Sequence, residues 1–495
     1  MIKLFGKVKK HGERVALIHG KKQYSFLELD KCSDHIASLL LETLEDLKES
    51  RVAFLVPPSF EYICILWGIW KAGGIAVPLS LSAKKDELDH ILTDAEVEIL
   101  ICNSSEVEKI SNVSQRMNIK IIESNSSYKK ITNKLPRLSL ERRAMILYTS
   151  GTTNQPKGVV STHENIQSQI TTLVIAWDWV KEDFIPLILP LNHIHGLINS
   201  LCCPLWVGAK VEILGSFESQ KVINAVSKNS YTVFTAVPTM YFSLIDELES
   251  MSESSSQIAL AGFKKMRLMM SGSAALNSEV HKKWTSLTNQ ILLERYGMTE
   301  IEMALSNPLK GERKPGYVGK PLPGMKVALI NDKGNIINKE NEPGEIICKG
   351  PQVLKEYWKR PKTTKDSFHK GWFKTGDVAV LEGNYYKILG RKSVDIIKSG
   401  GYKLSALEIE DFLVKHPKIK ECSVVGLNDK KWGEAVAVAI VINNQKKITL
   451  EELTIWAREN ISNYKIPRIL KIVDSLPKNS MGKINKTKVK EIFQN

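Results

Sequence analysis

Tyr148-Thr-Ser-Gly-Thr-Thr-Asn-Gln-Pro-Lys-Gly158 is rich in glycine and hydroxyl residues, and it directly follows the apolar run Ala144-Met-Ile-Leu-Tyr148. The apolar run predicts a buried strand. Small and hydroxyl residues after the strand let the backbone approach an anion closely, and Lys157 adds a positive charge. The stretch therefore predicts a loop that binds a polyphosphate. It lacks the G-x-x-x-x-G-K-[ST] order, so a mononucleotide-kinase fold is not implied.

Short β-rich runs alternate with helical patterns along the part of the chain that precedes this loop. The runs predict, in order, a strand, a helix, a strand, a helix and a strand at residues 51–56, 62–71, 75–79, 85–95 and 97–102. Such alternation is typical of parallel sheets wrapped by helices. Residues 103–140 are only weakly patterned, and no element is predicted there.

The pattern changes in the last third of the chain. After Gly344-Glu-Ile-Ile-Cys348 it consists of short strands and turns, and from about Lys392 a compact unit follows. Within that unit we expect helices at 406–415 and 450–460, and strands at 422–427 and 435–442. We therefore place a domain boundary near Arg391, which gives an N-terminal part, residues 1–390, and a C-terminal part, residues 391–495.

Composition limits the class of protein. The chain has 495 residues, of which 43% are hydrophobic and 25% charged, and this excludes wholesale disorder. Its net charge is +15. Charges of both signs are interspersed along the chain, and this pattern favours a solvated lysine-rich surface over a nucleic-acid-binding face. Seven cysteines without metal-ligand spacing, no visible secretory signal and no clean apolar span predict a cytoplasmic protein without a membrane span.

Further motifs follow the loop in a characteristic order. They are Ser271-Gly-Ser-Ala-Ala-Leu276, Tyr296-Gly-Met-Thr-Glu300, Trp372-Phe-Lys-Thr-Gly-Asp377, Gly390-Arg391, Lys398-Ser-Gly-Gly401, Tyr464-Lys-Ile-Pro467 and Pro477-Lys-Asn-Ser-Met-Gly-Lys483. With the loop, they resemble the adenylate-forming superfamily from about residue 12 to residue 490. The resemblance implies an α/β protein with a large N-terminal domain of helix-covered sheets, a small barrel-like β subdomain and a small mobile α+β C-terminal domain.

The resemblance also implies an ATP site. Glu300 and Thr299 offer the oxygen ligands that Mg²⁺ takes while it bridges phosphates. Tyr296 offers an aromatic face for adenine, and Asp377 can accept the ribose hydroxyls, with Arg391 nearby. The predicted ATP-binding residues are Thr149, Ser150, Gly151, Thr152, Thr153, Lys157, Gly272, Ser273, Ala274, Tyr296, Gly297, Met298, Asp377 and Arg391.

In the family, a C-terminal lysine that matches Lys483 enters the active site and stabilises charge at the α-phosphate. The reaction implied has two steps, in which a carboxylate attacks ATP to give acyl-AMP and the CoA thiol then displaces AMP. Gly400 and Gly401 would line the path of the thiol arm. The segment Arg391-Lys-Ser-Val-Asp395 is one residue longer than the usual Gly-Arg-x-Lys-Asp pattern, so the hinge is left open among Lys392 to Asp395.

Within the superfamily the chain most resembles malonyl-CoA synthetases, including forms that also accept methylmalonate. Segments such as Leu189-Pro-Leu-Asn-His-Ile-His-Gly-Leu-Ile-Asn199 and Asp395-Ile-Ile-Lys-Ser-Gly-Gly-Tyr-Lys-Leu-Ser-Ala-Leu-Glu-Ile409 carry this resemblance. Arg295 stands where synthetases for fatty or aromatic acids carry a small residue. A pocket that holds a second carboxylate needs a fixed cation. The alternative is that Arg295 pairs with Glu294 or caps a backbone carbonyl.

The acyl pocket is expected to include three more residues. His195 would close it near the reacting carboxylate, although a core histidine is as good an interpretation, and His193 is the weaker candidate. Met298 and Met303 would set its depth, which the sequence leaves open.

Three functions follow from these patterns. The first is a CoA ligase for a short dicarboxylate, the second an adenylation enzyme that loads a carrier protein or acts on another acid, and the third a basic nucleic-acid-binding protein. The first function predicts ATP and CoA as co-substrates and Mg²⁺ as a cofactor. It leaves the oligomeric state open.

Overall fold

The structure is a computed structural model, and it describes residues 2–124, 134–149, 156–443, 448–478 and 484–494. Its α-helices are, in chain order, α1 Lys3–His11, α2 Phe26–Leu41, α3 Phe60–Lys71, α4 Lys85–Asp94, α5 Val107–Met117, α6 His163–Ala176, α7 Cys203–Val207, α8 Ser219–Lys228, α9 Pro238–Ser250, α10 Glu253–Lys264, α11 Ser278–Thr288, α12 Pro361–Asp366, α13 Ala406–Leu413, α14 Leu450–Arg458 and α15 Lys486–Ile492. A π-helix, His195–Cys202, leads into α7.

The strands of the N-terminal part are β1 Val15–His19, β2 Lys22–Ser25, β3 Arg51–Leu55, β4 Ile75–Pro78, β5 Ile99–Cys102, β6 Lys120–Glu123, β7 Arg143–Thr149, β8 Lys157–Thr162, β9 Phe184–Leu187, β10 Lys210–Ile213, β11 Val233–Ala236, β12 Leu268–Ser271, β13 Leu293–Met298, β14 Glu302–Ser306 and β15 Lys320–Pro321. The later strands are β16 Lys326–Ile330, β17 Gly344–Lys349, β18 Glu356–Tyr357, β19 Phe368–His369, β20 Trp372–Glu382, β21 Tyr385–Arg391, β22 Ile396–Ser399, β23 Tyr402–Ser405, β24 Ile419–Asp429, β25 Gly433–Ile442 and β26 Ile469–Ile472.

The described strands form five sheets. The largest has the order β18-β8-β7-β4-β3-β5-β6, and a second has the order β11-β12-β13-β14-β15. In both, the inner strands run parallel and the strands toward one edge turn antiparallel. A third, smaller sheet has the order β2-β1-β10-β9. The predicted α/β class with helix-covered sheets is confirmed.

Two further sheets match the smaller units of the predicted fold. Antiparallel strands β16, β17, β19, β20 and β21 form the small β subdomain. Strands β22 to β26 form a sheet that packs with α13, α14 and α15 in the C-terminal part. No helix in the described ranges has the length and apolar character that a membrane span requires.

Helix α3 shows why the apolar window after residue 60 folds inside the protein. Ser59 caps it, since the Ser59 Oγ accepts a hydrogen bond from the Tyr62 N–H at 3.2 Å. Every residue from Tyr62 to Lys71 is buried, and the strand that follows, β4, is buried along its whole length. The prediction of a buried helix followed by a buried strand is confirmed.

Residues 104–123 contain elements that the sequence patterns missed. A 3-10 turn, Ser104–Glu106, leads into α5, and β6 then pairs in parallel with β5. Only Ile110 and Val113 of α5 are buried apolar residues, and β6 is an edge strand with no fully buried residue. Elements that bury so little apolar surface leave a weak periodic pattern in the sequence.

Candidate active site

The predicted phosphate loop joins two antiparallel strands. In the pair formed by β7 and β8, Thr149 lies directly opposite Lys157, so the segment between them closes a hairpin. Four residues that we predicted to bind phosphate lie outside the described residues: Ser150, Gly151, Thr152 and Thr153. The structure thus places both flanking candidates, Thr149 and Lys157, at the base of one hairpin.

Helix α4 holds both ends of that hairpin. Ahead of the loop, the Tyr148 hydroxyl donates a hydrogen bond to the Asp94 Oδ2 at 2.8 Å. Behind it, the His90 Nε2 lies 3.0 Å from the carbonyl oxygen of Pro156. Arg360 also donates to Asp94, at 2.6 Å. None of these supporting residues was predicted from sequence, because their role depends on a packing contact between distant segments.

Three predicted nucleotide-binding residues form one hydrogen-bonded group. The Tyr296 hydroxyl donates to the Asp377 Oδ2 at 2.6 Å, and the Arg391 Nε donates to the Asp377 Oδ1 at 2.9 Å. Asp377 and Arg391 are paired in the register of β20 and β21. Each carboxylate oxygen can accept more than one hydrogen bond, so Asp377 keeps capacity for the hydroxyls of a ribose.

The segment Gly272-Ser273-Ala274, which we predicted to bind ATP, lies against Arg295. A Cβ at Gly272 would stand 2.3 Å from the Arg295 Nη1 and 2.6 Å from its Cζ, so the guanidinium covers the backbone of this glycine. Ser273 has a φ of +70°, and Ala274 follows it. A side chain at position 272 would collide with the guanidinium of Arg295. The sequence did not indicate this reason for a glycine.

His195 begins the π-helix and is fixed on both ring nitrogens. Its Nδ1 lies 3.1 Å from the Ser273 Oγ, and its Nε2 lies 2.7 Å from the Thr235 Oγ1. The ring is buried, with 4% of the residue exposed. His195 thus joins β11 to the segment after β12 at the pocket. His193 is less buried and contacts Asn192.

Glu300 is the predicted metal ligand, and its environment suits a divalent cation. The Tyr357 hydroxyl donates to the Glu300 Oε1 at 2.9 Å, and burial raises the pKa of the carboxyl. Thr299 precedes it at a half-buried position. In the described ranges no group of three or more His, Cys, Asp or Glu side chains could hold a metal by itself. One carboxylate is nevertheless enough for Mg²⁺, which keeps waters and takes its other ligands from phosphates.

Arg295 is the most unusual side chain of the site. It lies on β13 with 3% of its surface exposed, and among the described residues its Nε, Nη1 and Nη2 have no hydrogen-bond partner. Burial lowers the pKa of this guanidinium to about 9. A buried cation without a counter-charge is costly, and an anionic ligand removes that cost. The guanidinium therefore points to an anion in the pocket.

The alternative partner for Arg295 is occupied elsewhere. Glu294 faces the opposite side of β13, where its Oε1 accepts a hydrogen bond from the Gly316 N–H at 2.7 Å and lies 3.3 Å from the His281 Nδ1. Arg295 therefore does not pair with Glu294. It also donates to no backbone carbonyl of the described residues, so both alternatives are wrong for this structure.

The two methionines differ in their position. Met303 on β14 is buried, and a Cβ at Gly297 would lie 2.7 Å from its Cε, so its methyl group packs on the glycine two positions after Arg295. Met298 is only half-buried and contacts the core of the β subdomain. Met303 is thus the one of the two that lies deep, beside the arginine's strand.

The residues predicted for the CoA step lie in the C-terminal part. Gly400 and Gly401 form the turn of the hairpin β22–β23, with φ values of +58° and +84°. A Cβ at Gly400 would be 3.1 Å from the Trp432 ring, whereas one at Gly401 would meet no atom within 4 Å. Lys483 lies outside the described residues. The nearest described residues on either side of it, Lys478 and Ile484, pair in an isolated antiparallel β-bridge.

Comparison with known proteins places this site in a family. The family described as AMP-binding enzyme matches residues 4–358, and the AMP-binding enzyme C-terminal domain matches residues 408–483. The chain is 40% identical over 98% of its length to a malonate–CoA ligase of Arabidopsis thaliana, of which it covers 87%. It is 39% identical over 96% of its length to the mitochondrial malonate–CoA ligase ACSF3 of Bos taurus, of which it covers 87%.

Solved structures agree with these relatives. ATP-bound MatB from Rhodopseudomonas palustris is 29% identical, each chain covers 99% of the other, and the TM-score is 0.91. Apo MatB from the same organism gives a TM-score of 0.81 with the same identity and coverage. Matches in sequence and in structure extend over nearly the whole chain, and the protein belongs to the AMP-binding enzyme family.

Proposed function

We propose that the protein is an AMP-forming acid–CoA ligase whose acid is malonate, with methylmalonate as the next candidate. The observation that carries this choice is Arg295, a buried guanidinium with no partner among the described residues. A second carboxylate on the substrate supplies the missing anion, and the planar guanidinium can bind it with two parallel hydrogen bonds. The names of the two relatives support the same acid.

In the first step one carboxylate oxygen of the acid attacks the α-phosphorus of ATP, and pyrophosphate leaves. Tyr296, Asp377 and Arg391 hold the nucleoside, and the hairpin between Thr149 and Lys157 receives the phosphates. Mg²⁺, held by Glu300 with Thr299 beside it, neutralises phosphate charge when it is bound. Lys483 stabilises the charge that develops on the reacting oxygens, by position and not by covalent chemistry.

The pocket residues orient the acid for this attack. Arg295 binds the carboxylate that does not react, which fixes the other carboxylate toward the nucleotide. His195 closes the pocket on the nucleotide side, where Ser273 and Thr235 keep its ring from turning. Met303 fills the space behind Gly297. Such a fixed orientation brings the attacking oxygen close to phosphorus before the reaction begins.

In the second step the CoA thiol attacks the carbonyl carbon of acyl-AMP, and AMP leaves. We propose that residues 391–495 change their pose between the steps as one domain, and that Gly400 and Gly401 then line the thiol path. Several contacts between the parts are polar and lie outside the apolar cores, among them Ser278 with Asp411 and Asp332 with Lys403. Polar contacts of this kind support a separate unit that can rotate.

The hinge of this motion lies at the start of the C-terminal part. The Asp395 Oδ2 accepts the Arg391 N–H at 2.9 Å, and its Oδ1 lies 2.6 Å from the Lys486 Nζ. Lys392 instead contacts Asp332 and Glu345 on the N-terminal side. Asp395 thus contacts the C-terminal part, which would move, and Lys392 contacts the N-terminal part, which would stay in place. This difference favours a hinge between Lys392 and Asp395.

A panel of acids tests the proposal. Malonate, methylmalonate, succinate, acetate and octanoate are each incubated with ATP, Mg²⁺ and CoA, and AMP, pyrophosphate and acyl-CoA are measured. We expect malonate to give the highest kcat/KM and one acyl-CoA per AMP. A higher kcat/KM for acetate or octanoate would contradict the choice of acid, and release of AMP without acyl-CoA would contradict the ligase.

We also propose that the enzyme works in the cytoplasm. The described cysteines are all free thiols, as a reducing compartment requires, and ATP and CoA are present there. The relative from Bos taurus is mitochondrial, so subcellular fractionation with compartment markers is the appropriate test. Recovery with mitochondrial markers would contradict the proposal.

A further inference from the structure

Three buried polar side chains near the acyl pocket have no partner. Gln169 on α6, Asn199 in the π-helix and Glu302 at the start of β14 are each at most 1% exposed. Among the described residues, neither side-chain oxygen of Glu302 forms a hydrogen bond, and the same holds for both amide atoms of Gln169 and of Asn199. Buried polar groups are nearly always satisfied, so three such side chains in one core need an explanation.

Hydrogen bonds fix how α6 lies along β14. At one end, the Asn165 Nδ2 donates to the carbonyl oxygen of Val353 at 3.1 Å, and the next residue, Leu354, donates its N–H to the carbonyl oxygen of Glu300 at 2.7 Å. At the other end, the Trp177 Nε1 donates to the Ser306 Oγ at 3.1 Å. Helix α6 and the segment from Glu300 to Ser306 therefore run side by side.

The register of these two elements brings Gln169 opposite Glu302. Gln169 precedes Trp177 by about 12 Å at roughly 1.5 Å per helical residue. Glu302 precedes Ser306, the hydrogen-bond partner of Trp177, by about 13 Å at roughly 3.3 Å per strand residue. The two polar side chains thus lie at the same height between α6 and β14.

The end of the π-helix lies beside the same place. Met303, the neighbour of Glu302, belongs to one apolar core with Leu201 and Cys202. Burial, and after it the carboxylate of Glu302, raise the pKa of the Cys202 thiol. Asn199 lies one turn before Cys202. A run of π-helix is rare and is often found at functional sites.

All three side chains end in groups that form hydrogen bonds. The carboxyl of Glu302 accepts hydrogen bonds through two oxygens, and each carboxamide offers a donor and an acceptor. The groups can be satisfied by ordered water or by a polar ligand group, but an apolar group leaves them unpaired.

We propose that Gln169, Asn199 and Glu302 form a polar end wall of the acyl pocket, beyond Met303, that excludes acids with an apolar tail. The inference rests on the proposed ligase function and adds chain-length selection to it. An alkyl tail that extends past Met303 displaces the water bound at these three groups and replaces none of its hydrogen bonds, whereas a short dicarboxylate leaves that water in place.

The test is the variant Glu302→Leu, which makes the wall apolar with little change of volume. Turnover of malonate, butyrate, hexanoate and octanoate is measured with ATP and CoA. We expect the hexanoate-to-butyrate ratio of kcat/KM to rise at least tenfold over that of the unaltered enzyme. A ratio within twofold of the unaltered enzyme would overturn the proposal.

Two further variants keep the test decisive. Gln169→Leu removes a polar group of the wall from another element and should raise the same hexanoate-to-butyrate ratio. It replaces Glu302→Leu in the test if that variant does not fold. Glu302→Gln retains a hydrogen-bonding terminus and should keep the original selectivity. Thr288→Val is the matched control, because Thr288 is a buried hydroxyl that donates to the Trp284 carbonyl oxygen within α11, and α11 contributes no residue to the wall. Malonate turnover by the unaltered enzyme, measured first, separates failure of this inference from failure of the ligase proposal.

Discussion

Two buried cations of this protein, Lys71 and Arg295, have opposite environments. The Lys71 Nζ lies 2.6 Å from the Asp30 Oδ1 and 2.7 Å from the Asp34 Oδ1, so this cation between α2 and α3 is neutralised by the protein itself. Arg295 is equally buried, yet no described carboxylate reaches it. The first charge is balanced within the fold, and we propose that the second is balanced by the substrate. A buried charge identifies a binding site only when its partner is missing.

The largest expected effect comes from removing the unpaired cation. Arg295→Gly leaves the distal carboxylate of malonate buried without a partner, which should lower kcat/KM for malonate by about 10²–10³. Butyrate carries no such charge, so its turnover should hold or rise. Steady-state kinetics with both acids measure the ratio. Parallel losses for malonate and butyrate, or a collapse of ATP affinity, would make Arg295 structural like Lys71.

Removing the paired cation should have the reverse signature. Lys71→Met leaves two partly buried carboxylates unpaired and should lower the free energy of unfolding by about 2–3 kcal/mol. The malonate-to-butyrate ratio should stay as it was, because Lys71 is not among the residues that we propose for the acyl pocket. Urea denaturation compares the midpoints with that of Arg295→Met, which should not fall. A changed substrate ratio in Lys71→Met would contradict the division between the two cations.

The pH dependence sharpens the same comparison. The guanidinium of Arg295 is protonated below its pKa of about 9 and loses its charge above it. The malonate-to-butyrate ratio of kcat/KM should therefore be flat below pH 8.5 and fall about tenfold per unit well above pH 9. Groups that act on both acids cancel in the ratio. A flat ratio up to pH 10.5 would contradict the lowered pKa and show that the guanidinium keeps its charge in this pocket.

The smallest effect is a thermal shift. A ligand that binds only the folded state, at a concentration 100 times its Kd, adds about 2.7 kcal/mol to the free energy of unfolding. For a protein of this size, that corresponds to a rise in Tm of about 2–4 °C. With a non-hydrolysable ATP analogue present, malonate should give such a rise in the unaltered protein. Arg295→Gly should show none at the same malonate concentration. Equal shifts by malonate in both proteins would place the acid elsewhere.

Much of the fold and of the site was predictable from sequence, because the residues that bear the chemistry lie in short contiguous motifs. The strand before the phosphate loop and the helix α3 follow from local patterns. The predicted roles of Tyr296, Asp377 and Arg391 follow instead from motifs that resemble those of a known superfamily. The sequence also indicated Arg295, but its isolation from Glu294 depends on which face of β13 each side chain occupies.

Other features could not be predicted, for a different reason. The contacts of His195 with Ser273 and Thr235 join three segments that are distant in the chain. The unpartnered Glu302 is one more acid in the sequence, and only the packing of α6 on β14 sets it apart. Contacts of this kind have no local pattern, since they depend on the register between separate elements.

Lys486 gives the end of the chain an influence on the hinge. Its Nζ lies 2.6 Å from the Asp395 Oδ1 and 2.8 Å from the Glu410 Oε1, with only 9% of its side chain exposed. The Lys486 ammonium group therefore links the short helix α15 to Asp395, beside the hinge that we propose. A tag or truncation that loosens α15 should leave two buried carboxylates facing each other next to that hinge. Fusions for purification or labelling of this enzyme belong at its other end.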